Sequence, residues 1–363
     1  MFHIPRVAGL AAALSTLALG GAIPAAADAP AGHVYVQTND ATGNAVVTFE
    51  RSADGALTYD ETVPTGGLGI APTGLGSQAA LAITADGNHL LAVNAGSDDV
   101  SVFDVTDDGL RLADVETVGD RPVSVAVHGK IVYVLNQGDD TIQGLRITDT
   151  GTLVRIPKST RPLSGSGTNA AQVAFSPDGR LLAVTEKATQ TIDTFVVRPN
   201  GRAIGPNVQP SAGPVPFGFE FGADGRLYVS EAPESAASSY DVDESGVLSV
   251  ISASVQNNQG AACWLVVTSD ARFAYTANTA TANVSQYEIA KDGSLALVGS
   301  GEAGGTDPGP LDLALSDGDA FLYVLNSRSG SISAFSVDPD DGSLTTIPGA
   351  SGFATGWVGL IAV

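Results

Sequence analysis

The feature that most limits what this chain can fold into is an internal repeat with a period of 42 to 50 residues. One unit runs from Pro122 to Leu153. An apolar alternation at Val123, Val125 and Val127 meets a turn at His128-Gly129-Lys130, and a second run, Ile131 to Leu135, ends at Asn136. A Gly/Asp loop follows, then a third run from Thr141 to Ile147, then a turn at Asp149-Thr150-Gly151. The same grammar recurs over 81–110, 171–201, 217–248, 263–295 and 311–344, and the second runs end at Asn94, Asn136, Glu186, Glu231, Asn278 and Asn326. Period-two alternation between Asp-Gly-type turns is strand chemistry. Four short strands per unit of this length predict the blade of a β-propeller.

The two ends fix the count. His33-Val34-Tyr35-Val36 reads as a second strand, yet no first strand precedes it. Trp357 to Val363 at the far end reads like Pro122 to His128 and supplies the missing piece. The expected fold is therefore an all-β, seven-bladed β-propeller, closed by pairing the C-terminal strand with the N-terminal blade. Such closure removes the open sheet edge that invites aggregation.

Composition sets further bounds. A hydrophobic content of 44%, a charged content of 15% and 43 glycines describe a globular chain rich in turns. Residues 1–27 read as a signal peptide: Arg6, the apolar stretch Val7 to Ile23, and small residues at Ala25-Ala26-Ala27. Residues 28–363 would then form one propeller domain, secreted or periplasmic, with no membrane insertion after cleavage. Cleavage removes one arginine and no acid, so the formal charge of −22 becomes slightly more negative. A surface of that sign repels phosphate backbones, which argues against a nucleic-acid partner. A monomer is expected. Cys263 is the only cysteine, so no intramolecular disulfide can form, and between Ala262 and Trp264 it reads as a small buried hydrophobe. Asp338-Pro339-Asp340-Asp341-Gly342 lacks the spacing and closing Glu of a calcium loop, and no metal or cofactor is assigned.

In a propeller the first strand of each blade lines the axial channel. The loops from second to third strand, and from blade to blade, converge on one face, where ligands usually meet the channel. On that face the repeat places Gln78, Arg121, Gln172, Phe217 and Trp264 at first-strand starts, and Asn94, Asn136, Asn278 and Asn326 at second-strand ends, as candidate ligand-binding residues. Glu186 and Glu231 replace Asn in adjacent blades, with Lys187 beside the first. Asn at such a position has a plain structural use in capping the turn. Two channel-facing carboxylates would be able to act as acid and base or hold a cation; alternatively they brace the rim.

The Ser176-Pro177-Asp178-Gly179 turn and the Tyr-Val-Leu-Asn strand ends at 133–136 and 323–326 resemble the lactonase-type seven-bladed propellers, which include propeller 6-phosphogluconolactonases and carboxymuconate cycloisomerases. Thr185-Glu186-Lys187 and Gly213 to Gly218 resemble a secreted bacterial branch. The resemblance implies lactone chemistry handled by histidines and arginines near the channel mouth. The corresponding segments here, Thr168 to Gln172 and Val215-Pro216-Phe217, hold neither. His33, His89 and His128 fall by the repeat beside first-to-second-strand turns, on the opposite face. The expected catalytic set is therefore Glu186 or Glu231 as base, with Lys187 and Arg121 steadying the oxyanion of a small lactone in the axial channel. The rival reading is a non-catalytic propeller that binds a small molecule, glycan or protein at the same place.

Overall fold

Each second strand of the repeat is a near-continuous apolar run, which is what a strand buried on both faces needs. His89–Asn94, Leu181–Glu186 and Phe273–Asn278 are buried at every residue. Outer strands such as Leu57–Pro64 and Leu344–Ser351 instead alternate exposed and half-buried positions. The computed structural model, which describes Met1, residues 30–299 and residues 301–363, assembles these runs into seven antiparallel sheets. Apart from Met1, the stretch read as a signal peptide lies outside the described residues.

Blade 1 pairs Val358–Ala362, Gly32–Gln37, Ala45–Arg51 and Leu57–Pro64, from the axis outward. Blades 2 to 7 begin on the axis with Leu81–Ile83, Pro122–His128, Ala170–Phe175, Pro216–Phe221, Ala262–Val267 and Pro310–Leu315, and each adds its following strands in chain order. In blades 3 and 6 the outermost edge is made of two short pieces. The fold is the expected seven-bladed propeller. Its closure is also as expected, with Val34 opposite Ala362, Tyr35 opposite Ile361 and Val36 opposite Leu360. Arg51 adds to the seam by donating to the Val363 carbonyl.

A recurring tyrosine ties neighbouring blades. Tyr133, Tyr275 and Tyr323, fully buried in second strands, each donate a hydroxyl hydrogen bond to the carbonyl of a turn glycine in the next blade: Gly201 (2.8 Å), Gly342 (2.6 Å) and Gly55 (2.8 Å). Those glycines have φ of 83°, 70° and 84°, a conformation that a side chain disfavours. The last of the three bonds crosses from blade 7 to blade 1. Burying a phenol requires such a partner for its hydroxyl.

Candidate functional site

The six second-strand ends are wholly buried, and they turn away from the channel. Each reaches into the loop arriving from the preceding blade and toward the third strand of its own. The Asn94 amide donates to Ser101 Oγ (2.7 Å) and accepts from Thr65 Oγ1 and Asn44 Nδ2 (2.8 Å each). Asn278 repeats this with Ser285 and Asn257, and Asn326 lies 2.8 Å from Ser333 Oγ. A Cβ placed on Gly119 of the incoming loop would lie 2.5 Å from the Asn136 amide nitrogen, so the bare glycine backbone is what lets that side chain in. These four asparagines are pins between blades and do not line a ligand site.

The two glutamates occupy the same pins, which corrects the expectation that they converge on the channel rim. Glu231 accepts from Ser238 Oγ (2.5 Å), and its other oxygen is buried without a partner; burial raises its carboxyl above the ordinary range. Glu186 accepts from the Ser164 N–H (3.0 Å), Ser164 Oγ and Thr189 Oγ1 (2.5 Å each) and Thr191 Oγ1 (3.0 Å). At the position where other blades carry Ser101, Ser238, Ser285 and Ser333, blade 4 carries Asp193, fully buried and facing Glu186. Burial pushes the Asp193 carboxyl up to about 8, and the neighbouring Glu186 adds to the shift. Burial alone would raise Glu186 too, but its many donors, Asp193 among them, outweigh this and hold it below its ordinary value. Burial thus favours the neutral form of Asp193, and the surrounding donors the charged form of Glu186.

Residues one step beyond the strand ends point inward instead. Gln137 Nε2 donates to the Ala170 carbonyl (2.8 Å) and Thr279 Oγ1 to the Pro310 carbonyl (2.9 Å), both at starts of inner strands. Lys187 donates to the Gly76 carbonyl, and its ammonium lies 4.7 Å from the centre of the Phe217 ring. Burial, with help from Arg121, pushes its amine down to about 8. Phe217 packs on Trp264, ring centres 4.9 Å apart, while Trp264 Nε1 donates to the Ser77 carbonyl (2.9 Å). Arg121, Lys187, Phe217 and Trp264 are therefore brought together on the loop face. They surround protein, because a segment of blade 2 occupies the mouth.

That segment, Gly74 to Gln78, plugs the channel. The Gln78 N–H donates to Ala171 O of blade 4 (3.1 Å), and its side-chain amide bonds both backbone groups of Leu265 in blade 6. Gly218 has no side chain to obstruct it; a Cβ there would lie 2.0 Å from Gln78 Oε1. Gln172 is committed in the same way, donating to Phe219 O (2.9 Å) and accepting from Phe219 N–H (2.8 Å). Both glutamine amides are tied to backbone across the channel and neither stands open at the loop-face mouth, contrary to expectation. Above the plug lies a hollow of about 210 Å³, lined by Gly76, Trp264, Leu311 and Asp312 among others. Asp312 is spent on the Leu313 N–H (3.2 Å) and on backbone N–H groups of Leu360 and Ala79; burial pushes it up to about 7.

The larger axial space opens on the opposite face. A hollow of about 600 Å³ is walled by the later halves of the inner strands of blades 2 to 6, and a second of about 330 Å³ by those of blades 5, 6, 7 and 1. Together they form one funnel. Glu220 of blade 5 lines both parts. Its Oε2 accepts from the Val267 N–H (2.7 Å), whereas Oε1 has no hydrogen-bond partner among the described residues. Burial, opposed by that N–H and reinforced by Asp319, pushes the carboxyl up to about 7. His128, the histidine at the end of blade 3's inner strand, is exposed at the same rim. Sequence reasoning passed over Glu220 because, of the inner strands, only the starts were weighed, beside the ends of the second strands. The usable signal was a lone acid in the apolar strand Phe217 to Phe221. A separate hollow of about 670 Å³ lies off the axis, between blades 2 and 3, where Arg111 pairs with Asp104 and Lys130 with Asp149.

Fold and site thus define a closed seven-bladed propeller with a plugged channel and one funnel holding a carboxyl poised near neutrality. The chain belongs to the family described as Lactonase, 7-bladed beta-propeller, which matches residues 30–162 and 249–355. It is similar to a putative 6-phosphogluconolactonase of Bacteroides fragilis (21% identity, TM-score 0.71, covering 93% of this chain and 99% of that one). It is also similar to the periplasmic gluconolactonase of Pseudomonas aeruginosa (18%, TM-score 0.70, 91% and 98%). An uncharacterized protein of Lactococcus lactis is 29% identical over 165 residues, 43% of this chain. The match spans about half the length of that relative (48%).

Proposed function

We propose that this protein hydrolyses a small lactone in the axial funnel, with Glu220 as general base. Family membership supplies the reaction class, and the observation that carries the residue assignment is the half-tethered Glu220 carboxyl in the wall shared by both parts of the funnel. A base with a pKa near the working pH is the most effective one. Glu220 takes a proton from water as the water oxygen attacks the lactone carbonyl. When the tetrahedral adduct collapses the ring C–O bond breaks, and the proton passes to the departing ring oxygen to give an open-chain hydroxy acid. The exported setting read from residues 1–27 belongs to the same proposal.

Acid release from γ- and δ-lactones tests it. Glu220→Gln is expected to lower the enzymatic rate at least 100-fold while leaving the melting temperature within a few degrees of wild type. Hydrolysis by the variant at the wild-type rate refutes the assignment. Ligand-dependent thermal stabilisation without turnover in the wild-type protein would favour the binding-module reading instead.

A further inference from the structure

The funnel's lining is selective in a way that its location on the axis does not require. Its walls mix apolar side chains, Leu81, Ile83, Val127, Phe175, Phe221 and Leu313 among them, with nearly as much polar surface, to which Ser269 and Ser316 contribute. Among the described residues no lysine or arginine lines either part, and the charged side chains there are Glu220, Asp317 and Asp319, with His128 at the rim. The carboxamides that reach the space, those of Gln78 and Gln172, each give one N–H and one lone pair to the backbones of Leu265 and Phe219. Asp319 is held by the Ser269 N–H (2.7 Å) and hydroxyl (2.6 Å). The cations expected at the site, Arg121 and Lys187, sit beyond the plug, where Lys187 is anchored to Gly76.

We infer that the ligand of this funnel is an uncharged lactone, and that phosphorylated sugar lactones are poor ligands. This deepens the proposed function and rests on its placement of the site. A phosphate dianion entering here meets carboxylates of its own sign and no counter-charge, and it must shed water in a partly closed space. An uncharged lactone escapes both costs, and its ring methylenes gain from leaving water. The volume suits a molecule of ten to twenty heavy atoms.

The test is calorimetric titration and thermal shift with three probes: γ-decalactone, glucono-1,5-lactone and its 6-phosphate. Measurements use wild type and Glu220→Gln, so that binding is read apart from turnover. Both uncharged lactones are expected to give saturable binding, and the 6-phosphate to give no saturable signal. Equal or tighter binding of the 6-phosphate overturns the ligand class even if it is hydrolysed. Tight binding of decalactone with no hydrolysis leaves the ligand class standing and removes the catalytic reading. A wall variant, Val127→Arg, supplies the missing cation: it should weaken decalactone and admit the 6-phosphate. If Val127→Arg alters neither affinity while the protein remains folded, the ligand does not bind in the funnel and the inference falls.

Discussion

Gln78, just ahead of the inner strand of blade 2, donates to the Leu265 carbonyl (2.7 Å) and accepts from the Leu265 N–H (3.0 Å), joining opposite walls of the ring across 187 residues of sequence. The side chain does the work of a missing strand across the axis. It also separates the small hollow on the loop face from the funnel on the other.

Gln78→Leu keeps the volume but leaves two buried backbone groups of Leu265 without this partner. Each such group costs about 1–3 kcal/mol. Urea unfolding should show a clearly lowered midpoint with an unchanged slope. An unchanged midpoint would mean that the plug is an accessory to the ring and not part of its support.

Gly218→Ala pushes a methyl group to 2.0 Å from Gln78 Oε1 and 2.9 Å from the Cys263 carbonyl. The plug must shift, so stability should fall, as in other overpacked sites, by about 1–3 kcal/mol. Most of that clash is with Gln78 itself. The double variant Gln78→Ala, Gly218→Ala should therefore lose less than the sum of the two single losses, and strict additivity would refute the coupling.

The Glu186–Asp193 pair makes stability depend on pH. Asp193 titrates near 8 in the folded chain and near 4 when unfolded. Because the folded state holds the extra proton between those values, the Asp193 contribution is complete below about pH 4 and drains away as the pH rises through 8, whereas that of Glu186, held below its ordinary value, is lost as the pH falls. Asp193→Asn keeps a donor to Glu186 without the proton. Its melting temperature should match wild type near pH 4.5 and exceed it by several degrees at pH 8; a parallel pH profile would show that Asp193 does not hold the proton as described.

The strand-end glutamates should behave as structural groups. Glu186→Gln turns an amide toward donors from Ser164, Thr189 and Thr191 and should cost about 1–3 kcal/mol. Glu231→Gln, already facing a single hydroxyl with a carboxyl raised by burial, should cost less than 1 kcal/mol. Any lactone hydrolysis should survive both. Loss of turnover in folded Glu231→Gln would return that residue to the chemistry.

What was legible in the sequence is what repeats locally. The turn residues, the alternation and the spacing determined seven blades, the residues at which the second strands end, and the head-to-tail closure through Val34 and Ala362. These follow from hydrogen-bond ladders and binary pattern, which neighbouring residues encode. The direction of the strand-end side chains was not legible. A second strand such as Leu181–Glu186 is buried on both faces, so its composition does not tell the axial side from the blade interior. Inner strands add a second obstacle: a bulge near their start, as between Ala170 and Gln172, Pro216 and Phe219, or Ala262 and Trp264, breaks the parity that counting relies on. Contacts across the axis decided the rest. Gln78, Gly218 and Leu265 belong to three different blades, and only closing the ring brings them within reach of one another. That closure filled the face where ligands were expected and left Glu220 facing open space on the other.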